Sequence, residues 1–226
     1  MECITHALMS LALARALRGR LPRYGMAMIF VAGVAPDLDY AAYYGGPASF
    51  LKFHRAVLHS LVGVFVLCGC LAAVFYFLSR WRAARNSEAD GARVGFFAAL
   101  AVCVVGAGVH VLLDVASGIG VRLLWPMRGG WYAWDLLANF DVWILLLLVV
   151  GLLLPHLTRL VNDEIGERSL SAPGKTAATV TLILIVLYVG GRGFLHWRVV
   201  DLLLSRDYQG EAPQKAGAYP SSTDPL

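Results

Sequence analysis

Residues 94–116 read VGFFAALAVCVVGAGVHVLLDVA, an almost wholly apolar run that carries a histidine and an aspartate near its end. A helix needs about 20 predominantly apolar residues to cross the hydrocarbon core of a membrane. The run therefore predicts a transmembrane helix. His110 and Asp114 are four residues apart and lie on one face of that helix. Because ionisable groups are costly inside a membrane, they mark a candidate functional site.

Three more apolar segments, at 56–79, 142–161 and 177–198, also approach the length of a membrane-spanning helix. The 226-residue chain is 58% hydrophobic and 15% charged, with a mean hydropathy of +0.65, which is too apolar for an ordinary soluble domain. The alternating pattern of membrane barrel strands is absent from the sequence. We therefore predict an all-α, polytopic membrane protein with four long transmembrane helices.

The N-terminal part of the chain predicts two shorter helices, at 4–19 and 24–35. The second is closed by Pro36 and, at about 1.5 Å per residue, is too short to span a membrane alone. We interpret the two as a helical hairpin or a re-entrant pair. Residues 1–204 then form one membrane-embedded domain, and the polar residues 205–226 form a disordered tail.

The cysteines and the net charge give no indication of a cysteine metal site, a disulfide or a nucleic-acid-binding surface. The four cysteines form no CxxC pair, and we interpret them as small buried hydrophobic residues without a metal or a disulfide. The net charge of +4 is modest, and basic residues cluster at helix ends, so no nucleic-acid partner is expected. The N-terminus has no basic region before its first apolar stretch, so no cleavable signal peptide is predicted.

Alternation of the predicted helices brings the polar runs of the sequence to one side of the membrane, here called the motif side. The opposite, arginine side holds the connections near residues 15–23, 80–93 and 159–175, with 11 of the 19 Lys and Arg residues and 5 of the 15 acids, a net charge of +6 against −2 for the motif side. By the positive-inside rule the arginine side is cytoplasmic. We therefore predict a multi-pass inner-membrane protein with its site on the periplasmic side.

The candidate site residues are imidazoles and carboxylates, which together suit Zn, Fe or Mn. The candidate metal ligands are His6, Asp37, His54, His59, His110 and Asp114. The pair His110 and Asp114 is the strongest pointer, because each group needs a partner inside an apolar helix. The alternative is a His–Asp hydrogen bond that stabilises helix packing.

The run His54-Arg55-Ala56-Val57-Leu58-His59-Ser60 opens the predicted helix 56–79. Arg55 and His59 are spaced to share a helix face, whereas His54 and His59 are not. We interpret His59 as a ligand, and His54 as either a ligand or a group that orients one. Arg55 either holds a substrate anion with its planar donors or pairs with one of the nearby aspartates, and we count it as a catalytic candidate.

Asp37 and Asp39 follow Pro36 at the end of the second short segment. An exposed turn is one interpretation, since Pro-Asp is common in turns. The spacing of two allows both side chains to reach one site only if the backbone is extended. We expect one of them, Asp37, to be a ligand. Asp39 is then a catalytic candidate that orients a histidine or acts as a general base.

The remaining polar residues are less informative. His6 alone is typical of a surface residue, and Asp141 is equally well explained as a helix cap or a site residue. Asp135 flanks the same helix end, and we interpret His156 and His196 as interfacial or packing residues.

Taken together and in order, the polar runs resemble the YdjM-like family of bacterial inner-membrane proteins, described as membrane-bound metal-dependent hydrolases. The runs are Thr5-His6, Pro36-Asp37-Leu38-Asp39, His54-Arg55 with His59-Ser60, and His110 with Asp114, Gly120 and Leu124-Trp125-Pro126. The resemblance covers residues 1 to about 160. It implies a polar centre of His6, Asp37, Asp39, His54, His59, His110 and Asp114, with Asp141 as a possible addition.

More remotely, the pair His110 and Asp114 is similar to the HxxxD pair of zinc-dependent phospholipase C and its related nucleases. Those enzymes carry a further HxxxE pair downstream. Here no histidine occurs between His110 and His156. We therefore do not expect a full three-zinc site.

These observations predict a metal-dependent hydrolase of the membrane, with zinc as the first choice of metal and Mn or Fe as alternatives. The metal would lower the pKa of a bound water and polarise the scissile group of a phosphoester or lipid substrate. The expected partners are the lipid bilayer and a small-molecule or lipid substrate. The second hypothesis is a transporter or an ion or proton relay, and the third a structural protein with buried polar pairs. The apolar stretches between His59 and Arg80 and between Arg93 and His110 argue against a continuous relay.

Overall fold

The computed structural model describes residues 1–85, 93–165, 173–208 and 210–223. Within these ranges the regular structure is helical, with a 3₁₀ helix between the second and third α-helices. The elements are α1 Cys3–Ala16, α2 Gly25–Val34, the 3₁₀ helix Ala35–Gly45, α3 Pro47–Phe53, α4 Leu61–Arg85, α5 Phe96–Ala116, α6 Val142–Ile165 and α7 Pro173–Leu204. The polar connections predicted at 80–93 and 162–176 include residues 86–92 and 166–172, which lie outside the described residues. Residues 209 and 224–226 of the predicted tail also lie outside them.

In the part of the chain that the structure describes, five helical segments are long and apolar enough to cross a membrane. They are Gly25–Gly45, Leu61–Arg85, Phe96–Ala116, Val142–Leu160 and Gly174–Leu204. The prediction of an all-α, polytopic membrane protein is therefore confirmed. Four of the five correspond to the predicted long helices, and the fifth arises from the N-terminal pair.

The α-helix of the second N-terminal segment ends at Val34, close to the predicted end, but the prediction that this segment is too short to span a membrane is wrong. The chain continues from α2 directly into the 3₁₀ helix Ala35–Gly45, and the two together form a helical segment of 21 residues. Pro36 occupies the second position of the 3₁₀ helix, where its missing N–H removes no helical hydrogen bond. A proline in the sequence therefore marks a change of helix type here rather than the end of the span.

The helix predicted from residue 56 begins instead at Leu61. Residues 54–60 form turns, and Arg55 has a left-handed backbone with φ of 56°. Ser60 caps the new helix, since its Oγ accepts a hydrogen bond from the backbone N–H of Gly63 at 3.0 Å. The spacing of Arg55 and His59 predicted that they share a helix face. They do not, because both lie in the turns before the helix.

Two apolar cores hold the bundle together, and α5 contributes residues to both of them. One core joins α2, α4 and α5 through small residues such as Ala32, Ala72 and Ala107, and the other joins α1, α5, α6 and α7. Cys68 and Cys103 lie in the first core as expected, but Cys3 and Cys70 are exposed, so the interpretation of all four cysteines as buried is wrong.

Close approach of α2 and α5 depends on Gly106. A Cβ added there would lie 2.6 Å from the carbonyl oxygen of Ile29, so the two backbones would have to separate. We expect Gly106→Ala to lower the free energy of unfolding by about 1–3 kcal/mol, the usual cost of overpacking. Thermal unfolding in detergent measures the effect. Gly108→Ala on the same helix meets no atom within 4 Å and serves as the control. Equal stability of the two variants would contradict this account of the packing.

Candidate metal centre

Polar side chains from four elements converge at the end of the bundle where α1 begins and α5 ends. They are His6 from α1, Asp37 and Asp39 from the 3₁₀ helix, His54, Arg55 and His59 from the turns before α4, and His110 and Asp114 from α5. All are buried except His54, which is partly exposed. The structure thus brings together every metal-ligand and catalytic candidate that the sequence predicted.

One group of donors consists of His59, His110 and Asp114. The Nε2 atoms of the two histidines are 3.0 Å apart. Asp114 Oδ2 lies 3.1 Å from Nε2 of His59 and 3.5 Å from Nε2 of His110. The donor atoms are close enough together to hold one metal ion.

A second group consists of His6, Asp37 and His110, and it shares His110 with the first. Nδ1 of His6 lies 3.2 Å from Asp37 Oδ2, and Nε2 of His110 lies 3.7 Å from Asp37 Oδ1. The rings of His6 and His110 stack with their centroids 3.7 Å apart. His6, a candidate ligand in the sequence, is only 1% exposed and is not the surface residue that its position alone would suggest.

The hydrogen bonds of His110 fix the state of its ring. Its Nδ1 lies 2.7 Å from the carbonyl oxygen of Gly33, which can only accept, so Nδ1 carries a proton. In the neutral ring, Nε2 is then a lone pair directed at His59 and Asp114. In the same cluster His6 Nε2, His59 Nδ1 and Asp114 Oδ2 are buried and form no hydrogen bond of good geometry, although polar atoms of the cluster lie within ion-pair distance of them. Acceptor atoms therefore converge here with few protons between them.

Arg55 is the buried cation of the site. Its Nη2 lies 3.2 Å from Asp114 Oδ1 and donates to the carbonyl oxygen of Met1 at 2.9 Å and to Asn139 Oδ1 at 3.1 Å. Its backbone N–H donates to Asp39 Oδ2 at 2.6 Å, which helps to hold the left-handed backbone of a residue other than glycine. The sequence prediction allowed Arg55 to pair with Asp37 or Asp39, but the guanidinium pairs with Asp114.

Met1, Asn139 and Gly33 are site residues that the sequence reasoning missed. The amino group of Met1 contacts Asp114 Oδ1 and is buried with it. Met1 and Gly33 act through backbone groups, which have no side-chain signature in a sequence. Asn139 offered a weak signal as an amide beside Asp141, but its position opposite Arg55 depends on how the loop between α5 and α6 folds.

Asp39 and His54 form the edge of the site. His54 Nδ1 lies 2.9 Å from Asp39 Oδ1, and His59 Nδ1 lies 3.0 Å from Asp39 Oδ2. The His54 ring stacks on Phe50, with centroids 4.4 Å apart, and lies beside Tyr40. His54 belongs to neither donor group. It is the most exposed imidazole of the cluster, at 15% of its side chain.

The two aspartates reach different partners because they lie on a 3₁₀ helix. The backbone here is thus not the extended one through which, by the sequence argument, both side chains could reach one site. With three residues per turn, side chains two positions apart point in different directions. Asp37 faces His6 and His110, whereas Asp39 faces His54 and His59.

Other residues considered in the sequence have separate roles. Asp141 caps α6 by accepting from the backbone N–H of Trp143 at 3.1 Å and from the Tyr188 hydroxyl at 3.1 Å. His156 lies beside Arg15, at the other end of α1. His196 and Asp135 line a small cavity near the tail.

A family model described as YdjM inner membrane protein matches residues 1–199. The match runs beyond residue 160, where the sequence resemblance was expected to end, and includes most of α7. No curated protein and no solved structure matches the chain.

Proposed function

We propose that this chain, which belongs to the YdjM inner membrane protein family, is a membrane-bound, metal-dependent hydrolase. The observation that carries the proposal is the pair of imidazole Nε2 atoms 3.0 Å apart beside Asp114 Oδ2, with His110 Nδ1 already committed to Gly33. Lone pairs and carboxylates buried together are costly unless a cation lies between them.

The donor set favours a transition metal. Imidazole nitrogen and carboxylate oxygen are good ligands for zinc, and Mn and Fe also accept them. Three carboxylates, Asp37, Asp39 and Asp114, lie in a cluster whose described cationic side chain is Arg55, beside the buried amino group of Met1. A divalent cation offsets this excess of negative and electron-rich groups. Zinc remains the first choice.

A metal held there would supply a Lewis acid that polarises a phosphoryl or carbonyl oxygen. The surrounding residues hold the ligands in place. The Gly33 carbonyl orients His110, and Arg55 fixes Asp114. Such partners of metal ligands maintain ring orientation and ligand basicity. Because the guanidinium of Arg55 is occupied by protein acceptors, its contacts favour a positioning role over substrate binding.

Proton transfer fits the pair His54 and Asp39. A carboxylate only accepts, so His54 donates from Nδ1 to Asp39, and its Nε2 is free to take a proton from a reacting group. His54 is also the most exposed imidazole of the cluster. Asp39 therefore acts on the reaction through His54, and it holds His59 from the other carboxylate oxygen.

Exposed apolar and aromatic side chains around this edge support a lipid or another membrane-borne phosphoester as the substrate. Leu38, Tyr44 and Leu51 are each more than half exposed, and Tyr40 borders His54. Aromatic residues of this kind are typical of the membrane–water interface.

A relay or transport function is the alternative, but the packing on the far side of the cluster argues against it. The buried residues of α4 and α5 away from the site are apolar or small, such as Cys68, Ala72, Ala99 and Cys103. Among the described residues of these two helices, no buried carboxylate or imidazole continues the cluster toward the arginine side.

The test of the function uses the purified wild type in mild detergent. We expect stoichiometric transition metal after purification or reconstitution, and hydrolysis of a phosphodiester or phospholipid panel that stops on chelation and returns with metal. A folded wild type that binds no transition metal even after reconstitution would exclude the proposal. Stoichiometric metal without turnover of any ester in the panel would remove the hydrolase assignment and leave a metal-binding protein.

We further propose that the metal centre faces the periplasm, because the arginine side carries the net charge of +6. In a cysteine-free background, an impermeant thiol reagent applied to intact spheroplasts should label Met127→Cys, which is 71% exposed in the loop after α5, and spare Ser87→Cys. Permeabilised cells, in which both should react, provide the control. Labelling of position 87 alone in intact spheroplasts would reverse the orientation.

A further inference from the structure

A basic cavity lies at the opposite end of the bundle from the metal centre. It has a volume of about 300 Å³ and is lined by Arg15, Arg18, Arg159 and Lys175 together with His156. Among the described residues that line it, there is no Asp or Glu. Four cationic side chains thus surround one space at the arginine side of the membrane.

The described contacts of Arg15 are with a carbonyl oxygen and an imidazole nitrogen, and neither partner carries a negative charge. Its Nη1 donates to the carbonyl oxygen of Leu152 at 3.0 Å, and its Nη2 lies 3.1 Å from Nε2 of His156. Arginine only donates, so His156 accepts at Nε2 and is neutral in this contact. Among the carboxylates whose side chains the structure describes, which exclude those of residues 161–173, none forms an ion pair with the four cationic residues of the cavity. Their combined field favours an anion there.

An apolar groove adjoins the basic cavity. It lies between α6 and α7, has a volume of about 570 Å³, and is lined mainly by aliphatic side chains such as Leu147, Leu154 and Val180. Pro155 borders both spaces, and Lys175 of the basic cavity is followed directly by Thr176 and Ala177 of the groove. A cationic space therefore continues into an apolar one along the membrane-facing side of two predicted spans.

We propose that the basic cavity and the adjoining groove together bind an anionic phospholipid. The phosphate occupies the basic cavity, and an acyl chain follows the groove between α6 and α7. The charge asymmetry of the chain places this site at the cytoplasmic leaflet, where basic pockets between transmembrane helices meet anionic head groups. The site is separate from the metal centre, because Arg15 and His6 lie at opposite ends of α1.

The charge requirement is tested on the full chain, delipidated in detergent, by native mass spectrometry with dioleoylphosphatidylglycerol and dioleoylphosphatidylcholine as probes. We expect tighter binding of the phosphatidylglycerol. The double substitution Arg18→Gln with Lys175→Gln should raise its apparent Kd about tenfold or more, because each basic residue contributes about 1 kcal/mol to the attraction of anionic lipid. The matched double substitution Arg20→Gln with Arg80→Gln removes the same charge on the same side, outside the cavity, and should leave the Kd nearly unchanged. An equal effect of the two pairs would overturn the site.

The groove is tested by Val180→Trp, which fills it without changing charge, against Leu187→Trp on an exposed position of α7 that does not line it. We expect only the first to weaken phosphatidylglycerol binding. Inorganic phosphate in the millimolar range serves as the head group without a tail. If it displaces the lipid efficiently and Val180→Trp has no effect, the cavity binds a soluble anion, and the phospholipid assignment is wrong.

Discussion

Asp114→Asn is expected to deprive the protein of its metal and to lower the free energy of unfolding by about 3–5 kcal/mol, the usual cost of breaking a buried ion pair. Asp114 lies at the centre of the site. Its carboxylate contacts Arg55 and the Met1 amino group on one oxygen and both His59 and His110 on the other. The amide removes a metal ligand and also leaves Arg55 as a buried cation without its carboxylate.

Metal analysis after reconstitution and thermal unfolding in detergent measure the two effects separately. His110→Ala should also lose metal, because His110 belongs to both donor groups, but it leaves the pair of Arg55 and Asp114 intact. His156→Ala, at the other end of α1, should keep its metal. Stoichiometric metal in the folded Asp114→Asn protein would show that the centre lies elsewhere.

The second large expected effect is a difference in metal affinity between substitutions of the two aspartates of the 3₁₀ helix. Asp37→Asn should abolish or strongly weaken metal binding, because Asp37 belongs to a donor group with His6 and His110. Asp39→Asn removes no donor of either group, but it removes the carboxylate that faces His54 and His59. Its metal affinity should fall by about 10–100-fold, the range found when a partner of a metal ligand is lost.

Titration against a competing chelator measures both affinities. Asp141→Asn is the matched control, since Asp141 caps α6 and accepts from Tyr188 without belonging to either donor group. It should change the unfolding temperature more than the metal affinity. A greater loss of affinity in Asp39→Asn than in Asp37→Asn would exchange the roles assigned to the two carboxylates.

The assignment of His54 to proton transfer also predicts a loss of turnover in Asp39→Asn that is separate from its loss of metal affinity. With metal restored to saturation, the variant should still have a lower turnover, because an amide has one acceptor oxygen and cannot accept from His54 on one side and from His59 and the Arg55 N–H on the other, so the ring of His54 is no longer held as before. If Asp39 only supports metal binding, saturating metal should restore the turnover of the variant to that of the wild type. The ratio of turnover at saturating metal to that of the wild type therefore distinguishes the two roles.

The membrane-spanning helices could be predicted from the sequence because each depends only on the apolar length of its own segment. The run predicted at 94–116 appears as α5 Phe96–Ala116. A long apolar segment in a membrane must satisfy its own backbone hydrogen bonds, and one helix does so without help from other parts of the chain. Alternation of such helices was sufficient to place His6, Asp37, His59 and Asp114 at one end of the bundle.

The elements around Pro36 and Arg55 could not be predicted in the same way. Proline usually ends a helix, but it is tolerated at the start of one, so the continuation into Ala35–Gly45 depends on a choice that the local sequence leaves open. The left-handed backbone of Arg55 costs about 1–2 kcal/mol in isolation. It persists here because Asp39 and the backbone N–H of Arg122 bind its two peptide groups.

The sequence by itself determined an all-helical membrane protein whose candidate ligands, His6, Asp37, His54, His59, His110 and Asp114, meet at one end, because apolar length and the cost of buried charge are properties of the residues themselves. Tertiary structure alone decided that His6 is buried against His110, that Arg55 pairs with Asp114, and that the Gly33 carbonyl fixes the ring of His110. These contacts join residues far apart in the chain and use backbone groups that every residue carries. Which residues make these contacts depends on how closely the helices approach each other. Packing determines that approach, and it cannot be predicted from a local sequence pattern.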